Sequence, residues 1–229
     1  MRKTPFGGLF KVFDEGLVTE NMCKKTYIDI IIIIKCFNFK TRDFTIDGMR
    51  EKFTGFDIEE LFGLLYAGCE ININNRSSKG DADFVKRNLI VSERISRQSA
   101  MSKVVTGKTQ QDHEDSVCLI CLHFCITLLF CNSGNTISWN IASCCQDVRT
   151  IPKYNWAKAT SDFLERQLVK DYEKSSSVSG CGAALLVHYE SMRDATKHGR
   201  NLKMGRVPAI HFFLSVVHML SYNGHDGVN

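Results

Sequence analysis

Cysteine and histidine residues cluster in the middle of the chain, where "CLICLHFC" (residues 118–125) contains a CxxC pair, His123 and Cys125. A structural Zn²⁺ site needs four such ligands converging on one point, and Cys144 and Cys145 are the residues that could complete the set. Spacing alone is weak evidence for a metal, and the neighbouring residues here are Leu, Ile and Phe. We therefore expect these thiols to pack as small hydrophobes in a core, with zinc as the alternative.

Cys181, in "SGCGAALLVHYE", is a second candidate for chemistry, because a cysteine protease needs a thiol activated by a nearby histidine. The segment is similar to the Cys-Gly nucleophile segment of ubiquitin-like-protein proteases, and His113 lies upstream, where such a partner stands. That nucleophile follows an Asp where this chain has Gly180, and the oxyanion-hole Gln has no counterpart in "EKSSSVSG". Each missing group removes a role that the mechanism requires, so we expect no proteolysis.

Other catalytic templates are missing from the sequence, including GxSxG, HExxH and GxGxxG. The stretch "VVTGKTQ" resembles a phosphate-binding loop, but Ser102 stands where that pattern requires a glycine. We expect no enzyme activity, no catalytic residue, no cofactor and no bound metal.

The most basic run of the chain is "RDATKHGRNLKMGR", at residues 193–206. A run of this kind could follow a phosphate backbone, although no aromatic residues accompany it for base stacking. The candidate nucleic-acid contacts are Arg193, Lys197, Arg200, Lys203 and Arg206.

Length and composition are those of a folded chain: 229 residues, 44% of them hydrophobic, can bury a sizeable core. A net charge of +4 is a mild basic excess that neither requires nor excludes nucleic acid. Ten cysteines would suggest disulfides in a secreted protein, but "MRKTPFGGLFKVF" has no apolar core followed by a cleavage site. We expect a reducing compartment, the nucleus or the cytoplasm.

Two apolar segments, residues 27–37 and 117–131, are shorter than the roughly 20 residues that cross a membrane. We expect both to be buried core elements, the second of them a central helix or strand, and we expect no membrane association.

The elements that would position these residues follow from local signals. Asp47-Gly48 predicts a tight hairpin turn, and Thr54 with Asp57 predicts the start of a helix whose apolar face is Ile58, Leu61, Phe62 and Leu65.

Asn155 predicts the N-cap of a second helix, which has Trp156 as its anchor and an outer ion pair between Asp162 and Arg166. The apolar positions of this second helix are Trp156, Ala159, Phe163, Leu164, Leu168 and Tyr172. Pro208 opens a last apolar helix.

Together these signals predict one mainly α-helical domain over residues 1–222, with a short β-hairpin near residues 43–53. Residues 72–116 are expected to form a polar surface excursion with a weak helix or two, and residues 223–229 a disordered tail.

Four segments occur in an order known from one plant family: "FTIDGMREKFTGFDIEELFGLLYAGCEI", the apolar run ending "LLFCNSG", "DVRTIPKYNWAKATSDFLERQL" and "SGCGAALLVHY". Through them the chain resembles the aminotransferase-like plant mobile domain, which is similar to the domain preceding ubiquitin-like-protease modules in plant transposons. The resemblance covers about residues 6–215, and the segment of Tyr154 and Trp156 is its most specific part.

The resemblance implies structural roles for five residues: Tyr154, Trp156, Phe163, Gly180 and Cys181. The chain departs from the family pattern where Leu65 replaces a proline, Asn132-Ser133 a Pro-Thr pair and Ser179-Gly180 a Gly-Gly pair.

As to function, the resemblance implies a non-enzymatic, transposon-derived protein that works through protein interaction in the nucleus, with links to silencing and meristem maintenance. No pyridoxal site can be assembled from the residues, despite the family's name. The partner and the oligomeric state stay open. The alternatives are a nucleic-acid-binding module that uses the basic run, and a degenerate relative of the ubiquitin-like proteases. Because no protease module follows the last helix, we expect an isolated or decayed copy.

Overall fold

The computed structural model describes residues 4–8, 11, 27–73, 82–88, 95–96, 109–132, 136–171 and 179–198. Its helices are α1 (Tyr27–Lys35), α2 (Gly55–Phe62), α3 (Ala82–Asn88), α4 (Gln110–Phe124), α5 (Trp139–Cys144), α6 (Trp156–Asp171) and α7 (Gly182–His198). Its strands are β1 (Phe37–Asn38), β2 (Asp43–Ile46), β3 (Met49–Glu51), β4 (Ile95–Ser96) and β5 (Thr136–Ile137). The expected mainly α-helical class with a short hairpin is confirmed.

The small sheet is antiparallel in the order β1-β2-β3. Ile46 pairs with Met49 across the predicted turn, where Asp47 (φ 47°) and Gly48 (φ 83°) both have positive φ. This is the backbone that a two-residue hairpin turn requires. The sheet also contains a strand that the sequence did not predict, since β1 pairs with β2 through Phe37 and Phe44.

Helix α2 begins as predicted. The Asp57 carboxylate accepts hydrogen bonds from the backbone N–H of Thr54 (2.6 Å) and from its hydroxyl (2.8 Å). The prediction for its other end was wrong, because Leu65 is 64% exposed and Leu64 is fully buried instead. Gly63 ends the helix with a φ of 67°, so the 3.6-residue period stops there and the next side chains change direction.

Helix α4 is the central element expected from the apolar run. It starts at Gln110, inside the stretch predicted to be a polar excursion, because Thr109 and Asp112 form a capping box. The main core contains Leu119 and Leu122 of this helix. It also contains apolar residues of the π-helical turn Cys125–Leu129 that follows. This core also takes in α2, α5 and the first turn of α6.

A second, smaller core lies under the sheet. Phe44 and Ile46 face inward and Thr45 outward, so β2 packs on one side and meets solvent on the other. Helix α6 joins the two cores, because Trp156 lies in the main core and Leu164 and Leu168 in the second.

The outer face of α6 differs in detail from the prediction. The Asp162 carboxylate pairs with Lys158 at 2.7 Å, whereas Arg166 donates to the Asp162 backbone carbonyl at 3.0 Å. Asn155 caps the helix as expected, accepting from the N–H of Lys158 at 2.9 Å.

Several sequence-based expectations lie outside the described residues: Ser102, Tyr172, the helix after Pro208 and the tail at 223–229. Within the part of the chain that the structure describes, no helix combines the length and the apolar character needed to span a membrane.

Candidate functional site

Tyr154 and Trp156 hold the junction between two segments. Trp156 is buried and donates from Nε1 to the carbonyl of Ile151 at 2.8 Å, while its ring meets Phe6 edge-on at 5.5 Å. Tyr154 forms an isolated parallel bridge with Cys69. The chain after α2 is thereby fixed against the start of α6.

Phe163, Gly180 and Cys181 also have packing positions. The Phe163 ring meets Phe130 edge-on at 5.5 Å. Gly180 has a φ of 108°, and a Cβ there would lie 2.9 Å from the Leu164 side chain. Its backbone N–H donates to the Cys131 carbonyl at 2.6 Å, so the turn before α7 lies directly against the end of the π-helical turn.

Cys181 is fully buried, and burial raises the pKa of its thiol well above the usual range. A thiol of this kind is packed in the core and is a weak nucleophile, because the thiolate is the reactive form. His113, its candidate partner, lies on an exposed part of α4. The expectation of no proteolysis stays a prediction.

The central cysteines also pack in the core. Cys118, Cys121, Cys125 and Cys145 are each at most 1% exposed. Burial raises the pKa of the Cys118 thiol to about 12, and Sγ of Cys125 lies 3.9 Å from Sγ of Cys145. The predicted packing of the CxxC thiols is confirmed. Among the described residues, no group of three or more His, Cys, Asp or Glu side chains is arranged to hold a metal ion.

A buried polar pair that the sequence did not reveal joins α2 to α7. Nδ1 of His188 lies 3.6 Å from Oδ1 of Asp57, and both side chains are less than a tenth exposed. The imidazole meets the rings of Phe44 and Phe53 edge-on, at 5.7 and 5.3 Å. Asp57 was identified only as a helix-capping residue, because no local pattern reveals a partner this far along the chain.

The electrostatics of this pair favour the ionised carboxylate. Burial alone would raise the pKa of Asp57, but the interaction with His188 and the two hydrogen bonds from Thr54 hold it below its usual range. Nε2 of His188 and Oγ of Ser191, both on α7, are buried without a hydrogen-bond partner among the described residues. The pair therefore connects α2 to α7, and its geometry is that of a structural contact between the two helices.

The first six residues of the basic run, 193–198, form the last turns of α7 and not the predicted loop, and residues 199–206 lie outside the described residues. Arg193 is half-buried, with its guanidinium 5.5 Å from the centre of the Tyr189 ring. Lys197 lies in the same helix, and Arg200, Lys203 and Arg206 lie outside the described residues. Of the five candidates, the described residues therefore include Arg193 and Lys197, which lie four residues apart on one helix.

An exposed apolar surface is the feature of this fold that most resembles a binding site. Phe56 is 61% and Leu65 64% exposed, more than any other large hydrophobic side chain described. The rings of Phe56 and Tyr66 lie 4.5 Å apart, and the Tyr66 ring covers Gly55 so closely that a Cβ there would overlap it. We call the Phe56 and Tyr66 rings, together with the exposed Leu65 that precedes Tyr66 in the chain, the Phe56 surface.

Two acidic side chains lie one helical turn from Phe56, and a third lies beside Lys158. Glu59 and Glu60 lie on α2, one turn after Phe56, and the side chain of Glu70 is 77% exposed. Lys158 reaches toward Glu70, at 3.9 Å. The bridge between Cys69 and Tyr154 fixes the chain beside Glu70. It also connects the segment of Tyr154 and Trp156 to the part of the chain that follows α2.

Sequence reasoning missed this surface for a physical reason. It counted Leu65 as a core residue because the helical period was carried past Gly63. Phe56 stands one residue after a glycine at the helix start, where periodicity does not decide which way a side chain faces.

The fold and surface define a mainly α-helical domain with a small antiparallel sheet and an exposed aromatic surface. A family model described as "Domain of unknown function (DUF8566)" matches residues 1–186, and the chain belongs to this family. No curated protein matches the chain, and no solved structure matches it.

Proposed function

We propose that this chain is a non-enzymatic, transposon-derived domain of the plant mobile type that acts as a protein-interaction scaffold. The order of its four sequence segments supports the family, and the nuclear setting in silencing or meristem maintenance follows from that resemblance alone. The Phe56 surface is the single observation that carries the interaction role.

Exposing the apolar side chains of Phe56 and Leu65 to water is unfavourable in free energy, and a partner that covers them would remove this cost. Each buried methylene stabilises an interface by about 0.8 kcal/mol, and interfaces are rich in aromatic residues at their centres. Glycine at position 55 admits the Tyr66 ring, so the aromatic pair is already ordered before binding. A preordered surface loses less side-chain entropy when a partner arrives.

The border of the surface indicates the chemistry of the partner. Glu59 and Glu60, one turn after Phe56, favour a segment whose apolar side chain is flanked by Lys or Arg. We therefore propose a protein ligand with an apolar anchor and basic neighbours.

A comparison of captured proteins tests this function. Tagged wild-type chain and the double variant Phe56→Ser/Leu65→Ser are incubated with nuclease-treated plant nuclear extract, and the captured proteins are quantified by mass spectrometry. Both changes are at exposed positions, so the loss of stability should be limited to that of the Phe56–Tyr66 contact, about 0.5–1.5 kcal/mol for an aromatic pair. We expect a defined set of proteins to be lost with the double variant.

The matched control is Ile32→Ser/Val169→Ser, which changes two exposed apolar side chains elsewhere. This control should retain the set. A partner set that is equal for all three proteins, or a purified chain that cleaves a ubiquitin-like precursor, would overturn the proposal.

A further inference from the structure

The loop between β1 and β2, residues 39–42, is held in one conformation by its own hydrogen bonds. We call it the Phe39 loop. Oδ1 of Asn38 accepts from the N–H groups of Lys40 (3.0 Å) and Thr41 (3.3 Å), and its backbone carbonyl accepts from the N–H of Arg42 at 2.7 Å. The Thr41 hydroxyl donates to Asp43 at 2.7 Å. The loop is therefore ordered independently of any ligand.

The residues that this loop displays are an aromatic ring and two cations. Phe39 is 40% exposed, and Nζ of Lys40 lies 5.9 Å from the centre of its ring. The Arg42 side chain is 61% exposed and lies 3.2 Å from Glu165 of α6.

Arg42 occupies a position whose backbone favours a different residue. Its φ is 55°, in the left-handed region, where glycine or asparagine has little or no conformational cost. The ion pair with Glu165 is mostly exposed, and such pairs contribute little to stability. The conformational free-energy cost of arginine at this left-handed position is therefore about as large as the stabilisation from its ion pair with Glu165. Stability alone does not explain why the residue is arginine.

Further exposed cations occur on and beside the sheet: Arg50 is on β3, Lys52 follows β3, and Lys35 ends α1. All five basic residues of the segment 35–52 are exposed: Lys35, Lys40, Arg42, Arg50 and Lys52. Of its three acidic residues, Asp43 is buried beneath Arg50 at 2.7 Å, Glu51 is half-buried and Asp47 lies at the opposite turn. Exposed basic side chains therefore outnumber exposed acidic ones in the segment that forms the Phe39 loop and the sheet.

We infer that the Phe39 loop and the basic face of the sheet bind single-stranded nucleic acid, with the Phe39 ring stacking on a base and Lys40 and Arg42 contacting phosphates. An exposed ring beside cations is the combination that single-strand binders use, because every base has a face that stacks and every nucleotide a phosphate. An acidic protein would be attracted by the same charges, but it offers a planar group only where it has an aromatic or arginine side chain, whereas every nucleotide offers a base beside its phosphate. The residues of this surface differ from those of the Phe56 surface and from those of the basic run at 193–206.

Fluorescence anisotropy with a labelled 12-nucleotide single-stranded DNA of mixed sequence tests the inference, over a series of salt concentrations. Phe39→Ala should weaken binding about tenfold, as expected for the loss of one stacked base. Arg42→Gly removes a cation while suiting the backbone, so it should keep or raise the melting temperature. It should also lower the slope of log affinity against log salt by about 0.7, the value for one phosphate contact on a single strand.

Two controls make the outcome decisive. Lys153→Ala removes an exposed cation elsewhere and should leave binding within twofold of the wild type. Arg200→Ala/Lys203→Ala tests the basic run. The inference is overturned if Phe39→Ala and Arg42→Gly bind as the wild type does, if only the basic-run variant loses affinity, or if no protein binds the DNA at all.

Discussion

At the scale of single residues, the positive φ of Gly180 allows the turn before α7 to pack closely against Leu164 of α6. Gly180→Ala would place a Cβ in the left-handed region and 2.9 Å from Leu164. Strain and overpacking together should lower the free energy of unfolding by about 2–4 kcal/mol, as measured by urea denaturation.

Gly48→Ala is the matched control for this change. Its φ of 83° also lies in the left-handed region, but nothing is within 4 Å of the added Cβ. Only the conformational cost of about 1–2 kcal/mol remains there. Equal losses for the two variants would show that the contact between Gly180 and Leu164 is unimportant.

The Asp57–His188 pair makes a pH-dependent prediction. Because the pKa of Asp57 is lowered in the folded chain, its ionised form stabilises the fold above the unfolded pKa of about 3.9. That contribution is lost as the pH falls through the lower, folded pKa. Asp57→Asn should therefore cost about 3 kcal/mol at pH 7, the typical cost of breaking a buried pair.

The difference between wild type and Asp57→Asn should shrink when urea denaturation is repeated from pH 7 down to pH 3. Asp147→Asn is the control, since Asp147 pairs with an Arg149 side chain that is 82% exposed. It should cost about 1 kcal/mol or less. A constant difference at all pH values would contradict the proposed ionised carboxylate.

Local sequence signals located some residues of the site and not others. Thr54 and Asp57 were found because a capping box is a short-range pattern. His188 was not, because a histidine within "AALLVHY" looks like any residue of an apolar helix until the fold brings α2 against it.

At the scale of elements, the contact between α3 and α4 depends on one buried carboxylate. Asp115 accepts from Arg87 at 2.9 and 3.1 Å, from Asn88 at 2.5 Å and from Gln111 at 2.8 Å. These bonds, with the charge of Arg87, hold its pKa below the usual range although burial acts in the opposite direction.

Asp115→Ala should free α3 from α4, because Asn88 is buried and would lose a partner. We expect faster amide hydrogen exchange across residues 82–88 and a global loss of about 1–3 kcal/mol. Glu114→Ala, its neighbour on α4, should change neither by much. Unchanged exchange in α3 after Asp115→Ala would contradict this role.

The hairpin and the two capped helices were predictable because Gly, Asp and Asn at turns and caps have local physical meaning. Strand β1 was not, since two residues are too few to show an alternating pattern. The boundary at Leu64 and Leu65 was misassigned because a left-handed glycine shifts the periodicity after it.

At the scale of the whole molecule, the cores predict which thiols react. Among the nine cysteines that the structure describes, brief alkylation of the native chain should modify the exposed Cys69 first. Six thiols should react only in denaturant, because burial raises their pKa: Cys118, Cys121, Cys125, Cys144, Cys145 and Cys181. Mass spectrometry of labelled peptides measures the order, and rapid native labelling of Cys181 would contradict the packing and revive the nucleophile hypothesis.

The central claim, that the Phe56 surface contacts a protein partner, is tested most directly by site-specific photo-crosslinking. Phe56 is replaced by p-benzoyl-phenylalanine, and in a matched protein Val169 is replaced instead, since it is another exposed apolar residue, on α6. Each protein is irradiated in nuclease-treated nuclear extract. We predict a discrete protein adduct at position 56 and none at position 169. No adduct at either position, or the same adducts at both, would contradict the account.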